Sequence, residues 1–230
     1  MFRAVRAGGW LLFLVNPSLA TAQSARVEPP PNALLRPHAF PHKLATSGPG
    51  VFLNHVRDEM KVPLDIDLAT VEALQKHGSD WDVRLQWLSL PLGVHLEHIA
   101  NQVGATVTWK NGQVTLAPGR PQSFARFLSR PSDETQKFLK QDVRFERAIE
   151  NTPLRDVCEF LTDKYDMQAL IDDALFRTAT GKGASTVQVR LPAGEKPLTG
   201  WLEDLARACG SRVQIFEEAV LIVPISKEES

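Results

Sequence analysis

The sequence predicts an α+β protein made of two tandem βαββαββ modules, each with two helices packed on small β-sheets, and three observations predict it. Residues 81–118 and 187–224 align without a gap at a constant offset of 106. Twelve of those 38 positions are identical: Val83/Val189, Arg84/Arg190, Leu85/Leu191, Pro91/Pro197, Leu92/Leu198, Leu96/Leu202, Glu97/Glu203, Ala100/Ala206, Gly104/Gly210, Val107/Val213, Val114/Val220 and Pro118/Pro224. The shared residues are mostly apolar, Gly or Pro, the types that set packing and chain direction, so a scaffold was duplicated. Finally, helical and alternating apolar spacings follow one another in the same order in both copies. Each copy is expected to bury its own core.

Composition narrows the function classes. A chain of 230 residues suits two small domains. With 26 Lys+Arg against 27 Asp+Glu the net charge is -1, so no bulk field draws the chain to nucleic acid or an anionic membrane. Residues 1–22 read as an export signal: Arg3 and Arg6 form a basic start, Trp10 to Val15 an apolar run, and Ala20-Thr21-Ala22 a small-x-small cleavage pattern ending at Ala22. The apolar run is much shorter than the ~20 residues of a membrane span, so the mature chain is expected to be periplasmic with no span.

Taken in order, residues 23–41 form a Pro-rich linker, with Pro29-Pro30-Pro31, Pro37 and Pro41. Module 1 covers 42–118. Its front half is divergent: Leu53, Val56 and Met60 reproduce the helical spacing of Leu154, Val157 and Leu161, and Leu64 to Asp67 answers Leu170 to Asp172, but no first strand is evident. Leu92, Leu96, Ile99, Ala100 and Val103 mark one helical face that Gly104 ends. Val107 and Trp109, then Val114 and Leu116, alternate as strands joined at Asn111-Gly112, both tolerant of positive φ.

A linker with a short helix from Asp133 to Lys140, capped by Ser132, fills 119–141. Module 2 covers 142–225. Val143 and Phe145 begin a strand, Thr152-Pro153 starts a helix carrying Leu154, Val157, Cys158 and Leu161, and a strand near 167–171 ends at Asp172-Asp173. A flexible loop from Thr178 to Ser185 precedes the strand of Val187, Val189 and Leu191. Pro197 opens a helix on Leu198, Leu202, Leu205, Ala206 and Cys209, stopped by Gly210, and the strands of Val213/Ile215 and Val220/Ile222 flank a longer turn at Glu217-Glu218. Residues 226–230 are a tail.

This ordered set, from Thr152-Pro153-Leu154 through Asp172 and Pro197-Leu198 to the Gly210 turn and Leu221-Ile222-Val223-Pro224, resembles the short N-terminal (STN) domain of secretins and TonB-dependent receptors. The resemblance covers about 80 residues of the second copy and about 70 of the first. It implies two helices on small sheets and an export-side docking role toward another envelope protein of a secretion or receptor-signalling system. Residues 1–230 contain no ring- or barrel-building sequence, so docking is what the resemblance carries over.

Candidate chemistry is sparse. His95 and His98 are the metal candidates, three apart on one helix, but their counterparts are Trp201 and Asp204 and no further ligands accompany them. Gly181-Lys182-Gly183 lacks the first Gly and the hydroxyl of a phosphate loop. Asp65/Asp67 and Asp172/Asp173 suit local backbone bonding better than acid-base work. Cys158 and Cys209 both face a core, as buried thiols or, if their helices pack side by side, a disulfide. No catalytic or cofactor-binding residue stands out.

A binding role rests on exposed sheet edges, which a partner strand can extend. Among Trp81, Trp87, Trp109 and Trp201, Trp201 lies off the apolar stripe and is the contact candidate. The expectation is a non-enzymatic docking or scaffold protein of the cell envelope with an unidentified protein partner. The alternative is an envelope hydrolase with a site between the modules.

Overall fold

The computed structural model describes residues 30–41, 44, 48–77, 88–165 and 167–225. The expected signal, Trp81, Trp87, the first-copy residues Val83, Arg84 and Leu85, and the tail lie outside the described residues. The chain is α+β. The first copy comprises α1 (Asn32–Leu35), β1 (Pro37–His38), α2 (Pro49–Asp58), β2 (Leu64–Ile66), α3 (Leu68–His77), β3 (Leu90–Pro91), α4 (Leu92–Gln102), β4 (Ala105–Lys110) and β5 (Gln113–Pro118). A 3-10 turn at Phe124–Phe127 follows. The second copy comprises α5 (Asp133–Leu139), β6 (Asp142–Phe145), β7 (Ile149–Pro153), α6 (Leu154–Tyr165), β8 (Ala169–Ile171), α7 (Asp173–Thr180), β9 (Gln188–Leu191), β10 (Gly194–Pro197), α8 (Leu198–Ala208), β11 (Ser211–Ile215) and β12 (Val220–Pro224). Among the described residues no helix is long and apolar enough to cross a membrane.

Both copies build the same three-stranded sheet. β5 lies between β2, which is parallel to it, and β4, which is antiparallel; β12 lies likewise between β8 and β11. Two-stranded pairs β1–β3, β6–β10 and β7–β9 complete the set, and among the described residues no sheet mixes strands of the two copies.

The first strand that the sequence withheld is β1. Pro37 pairs with Pro91 as Asp142 pairs with Pro197, so β1 answers β6. Leu34 and Leu139 are buried just ahead of these strands, and the matching Phe40 and Phe145 are buried just past β1 and at the end of β6. From Asn32 onward, then, the expected Pro-rich linker is the head of the first copy. Its strand is two residues long and begins with Pro, which a short edge pairing tolerates but which erases the alternation that marks a strand. The repeat offset also drops by one in the front half. Leu64 faces Val114 and Ala169 faces Val220; the valines are 106 apart, their partners 105. The same offset superposes the buried Phe52, Leu53 and Val56 of α2 on Val157, Cys158 and Leu161 of α6, in place of the match from Leu53, Val56 and Met60.

Further elements differ from expectation. Thr152 and Pro153 end β7, where they pair with Val189 and Gln188 around a bulge at Asn151 (φ 49°), and α6 starts at Leu154. The strand of 169–171 leads into helix α7, not a loop: Asp172 Oδ1 accepts from Leu175 N, and Gly181 ends the helix at φ 73°. Asp67 plays the same part before α3, accepting from Ala69 N. The short helix after Ser132 is present, its hydroxyl accepting from Thr135 N. Asn111 and Gly112 turn at φ 51° and 78°. The counterpart turn spans Phe216 to Ala219, and its Glu217 carboxylate accepts from Ser132 N–H and Oγ–H and from Thr135 Oγ1–H.

The copies do not keep separate interiors. One core lies within the second copy, around Val157, Leu161, Val189, Leu202, Val220 and Ile222. The other holds first-copy residues such as Phe52, Leu96 and Val107, together with Phe124, Phe127, Leu170, Ala219, Leu221 and Val223. β12 is therefore buried on both faces: Val220 and Ile222 turn into their own module, and Ala219, Leu221 and Val223 into the neighbouring one. A strand covered on both sides needs a continuous apolar run, and 219–223 supplies it.

Candidate functional site

The open feature of the second copy is a groove of about 490 Å³ between α8 and the edge strand β11, lined by residues including Leu202, Glu203, Ala206, Val213, Ile215 and Ile225, within the range of ~300–1,000 Å³ usual for ligand sites. Leu202 and Ala206 form a buried floor. Val213 and Ile215 are half-buried walls, Glu203 is exposed, and Ile225 keeps 39% exposure on the rim. Among the described residues β11 pairs only with β12, so its other side is an unextended sheet edge there. A second groove lies across the module beside β7, bordered by Ile149, Asp156 and Phe160.

The same edge in the first copy is closed. Glu97, fully buried, accepts from Val107 N–H (3.0 Å) and from Thr106 Oγ1 (2.9 Å), and it is ion-paired with Arg126 of the interdomain turn. Arg126 also donates to Val107 O (2.7 Å) and lies over the Trp109 ring. Both main-chain groups of Val107 thus point off the sheet edge and are satisfied there by side chains, as burial requires. Val213 pairs with Ile222 in the register of Val107 with Leu116, so its N–H and C=O point the same way, into the open groove.

Where the copies meet, two acids are buried. Desolvation pushes the Glu97 carboxyl above its usual value, outweighing Arg126 and the N–H of Val107. Asp172 is fully buried; its Oδ2 has no protein partner, and burial, with a smaller contribution from the Glu97 charge, pushes it up to about 7.

The residues singled out by the sequence fall as follows. Trp201 is buried at 2% exposure rather than outward-facing; its ring stacks on Phe145 and its Nε1–H donates to Val143 O (2.9 Å). The side chain next to Leu202 reaches inward because the β6–β10 pair covers that flank of α8, a cover invisible to a helical stripe count. His95 does the same work in the first copy. Its Nε2–H donates to His38 O (3.0 Å), its ring meets Phe40 edge-on, and burial lowers it to about 4, so it is neutral. His98 lies against Phe124, and among the described residues no group of three or more His, Cys, Asp or Glu is placed to hold a metal ion. Cys158 and Cys209 are free thiols; desolvation raises both, and Cys209 Sγ donates to Leu205 O (3.1 Å). Asp65 and Asp173 bind main-chain N–H groups of Ile66 and Ala184, and Gly181-Lys182-Gly183 is a helix end. Glu97, Arg126 and the groove escaped sequence reasoning, although the identity of Glu97 with Glu203 was the signal that marked them.

These features define an α+β protein of two repeated units with one sheet edge closed and one open. No family model and no curated protein matches the chain. Among solved structures it is similar to one described as a candidate anti-sigma factor from Parabacteroides distasonis, at 16% identity and a TM-score of 0.24 over 54% of this chain. The chain spans about half (48%) of that structure, and so loose a superposition defines neither fold nor role.

Proposed function

We propose that this chain is a non-enzymatic protein–protein docking protein of the cell envelope and that the α8–β11 groove is its docking face. The observation that carries the reading is the exposed edge of β11 beside an apolar floor, because an edge strand offers main-chain hydrogen bonds and the adjoining groove offers side-chain selectivity. The leader-like residues 1–22 support the envelope location. The test is a photo-crosslinking residue placed in the full chain, in cells that make it, at Ile225 on the groove rim or at Phe160 beside β7. A discrete adduct from Ile225 and none from Phe160 is expected. No adduct from Ile225 overturns the assignment.

A second reading, a hydrolase at the junction, draws on Asp172 and Glu97, two acids with raised proton affinity. Both have zero exposure, so substrate would reach them only through separation of the copies. Hydrolysis of an ester or peptide by the full chain, lost in Asp172→Asn, would carry that reading instead.

A further inference from the structure

We infer that the α8–β11 groove takes an arginine-bearing apolar segment of a partner protein, of the form apolar-x-Arg-apolar, because this chain fills the equivalent groove of its first copy with such a segment, Phe124-Ala125-Arg126-Phe127. The inference rests on the docking reading above and names its ligand.

The repeat superposes the two grooves residue by residue. The floor is identical, Leu96 and Ala100 answering Leu202 and Ala206, and so is the acid, Glu97 answering Glu203. Edge residue Val213 stands for Val107. In the first copy Arg126 bridges the carboxylate and the Val107 carbonyl while Phe124 and Phe127 are buried at 1% exposure. In the second copy Glu203 is exposed and Val213 half-buried beside the groove, and among the described residues no hydrogen bond joins the two. An arginine presented there finds a carboxylate and an outward carbonyl at the same relative positions, and pairing a guanidinium with both is a strong charge-assisted arrangement.

The differences between the grooves set selectivity. A Cβ on Gly93 would collide with the Phe127 ring, and Thr199 carries that Cβ in the second copy. Ile215, smaller than Trp109, leaves room on the opposite wall. The last apolar position should therefore prefer an aliphatic side chain to Phe. Asn101 holds the incoming main chain at Gln122 by both donating and accepting; Arg207, which replaces it, can only donate and is ion-paired with Asp204 (2.9 Å), so the two-way clamp is not repeated.

The experiment titrates the full chain with two labelled peptides, one with the sequence of residues 121–129 and one carrying Phe127→Leu. Saturable binding is expected, tighter for the Leu peptide. Glu203→Gln should weaken it about tenfold, and Thr199→Gly should reverse the preference toward Phe. Binding that ignores Glu203→Gln, or none up to about 1 mM, overturns the ligand assignment; an Ile225 adduct formed at the same time leaves the docking reading standing, and its absence removes both. Sedimentation of the full chain without peptide separates a further occupant. A concentration-dependent dimer abolished by Val213→Pro, a change an edge N–H tolerates, would show that a second copy fills the groove and would also overturn the inference.

Discussion

Val107 and Val213 occupy one place in two copies of the same strand, yet the first has its outward N–H and C=O tied to Glu97 and Arg126 and the second leaves them toward an open groove. The sheets' outer faces contrast in the opposite sense. Leu170, Leu221 and Val223 of the second copy are buried against the first, whereas their positions in the first copy hold Asp65, Thr115 and Ala117, polar or small and at least partly exposed. Duplication kept the inward positions, which pack the same helix on the same sheet in both places. The outward positions changed with what lies against them. Surface function in a repeat is thus set by neighbours, and among the described residues the β11 edge of the second copy is the one without a cover.

The largest expected effect lies at the inner aromatic latch. Trp201→Ala removes a buried ring and its hydrogen bond to Val143 O, with an expected cost of about 4 kcal/mol in urea unfolding; His95→Ala, the smaller latch of the first copy, should cost about 2 kcal/mol. If Trp201→Ala unfolds like the wild type, the latch equivalence is wrong. Next comes the interface: Leu221→Ala should cost about 3 kcal/mol, while its counterpart Thr115→Ala stays within about 0.5 kcal/mol. Equal costs would mean that the copies do not share a core.

Proton linkage separates the copies further. His95, lowered to about 4, is charged only in the unfolded chain between pH 4 and 6.5, so it makes stability rise with pH over that window. Asp172, raised to about 7, holds its proton only in the folded chain between pH 3.8 and 7, so it makes stability fall with pH. The slopes oppose each other. Asp172→Asn retains an N-cap and should unmask the rise due to His95, adding on the order of 2 kcal/mol at pH 8 relative to wild type; a stability profile parallel to wild type from pH 4 to 7 would contradict proton uptake by Asp172 on folding. The smallest effect contrasts the shared acids: Glu97→Gln should cost about 1–2 kcal/mol, and the exposed Glu203→Gln close to nothing.

The helices at 92–102 and 198–208, the Asn111-Gly112 hairpin and the glycine stops at 104 and 210 were legible because each depends on local spacing or a local φ. β1 was not, since two residues beginning with Pro carry no alternation. α7 was hidden by its short length and by an aspartate pair that serves a helix start as well as a turn. Trp201 misled because a stripe defines only one flank of a helix, and α8 is covered on two. The apolar run 219–223, against the alternating 113–117, did record in the sequence that β12 is buried on both faces.

By itself the sequence determined that one helix-and-sheet unit occurs twice and which residues form the main apolar stripe of its repeated helix, because periodicity and chain-reversing glycines act within a few residues. Only the tertiary structure decided which sheet edge stays open. That depends on where the connecting segment runs, through contacts such as Arg126 to Glu97, 29 residues apart. No local pattern specifies such a contact; the Phe124–Phe127 turn is buried in one core with the first copy and with Leu170, Leu221 and Val223 of the second, while among the described residues the edge of β11 has no such cover.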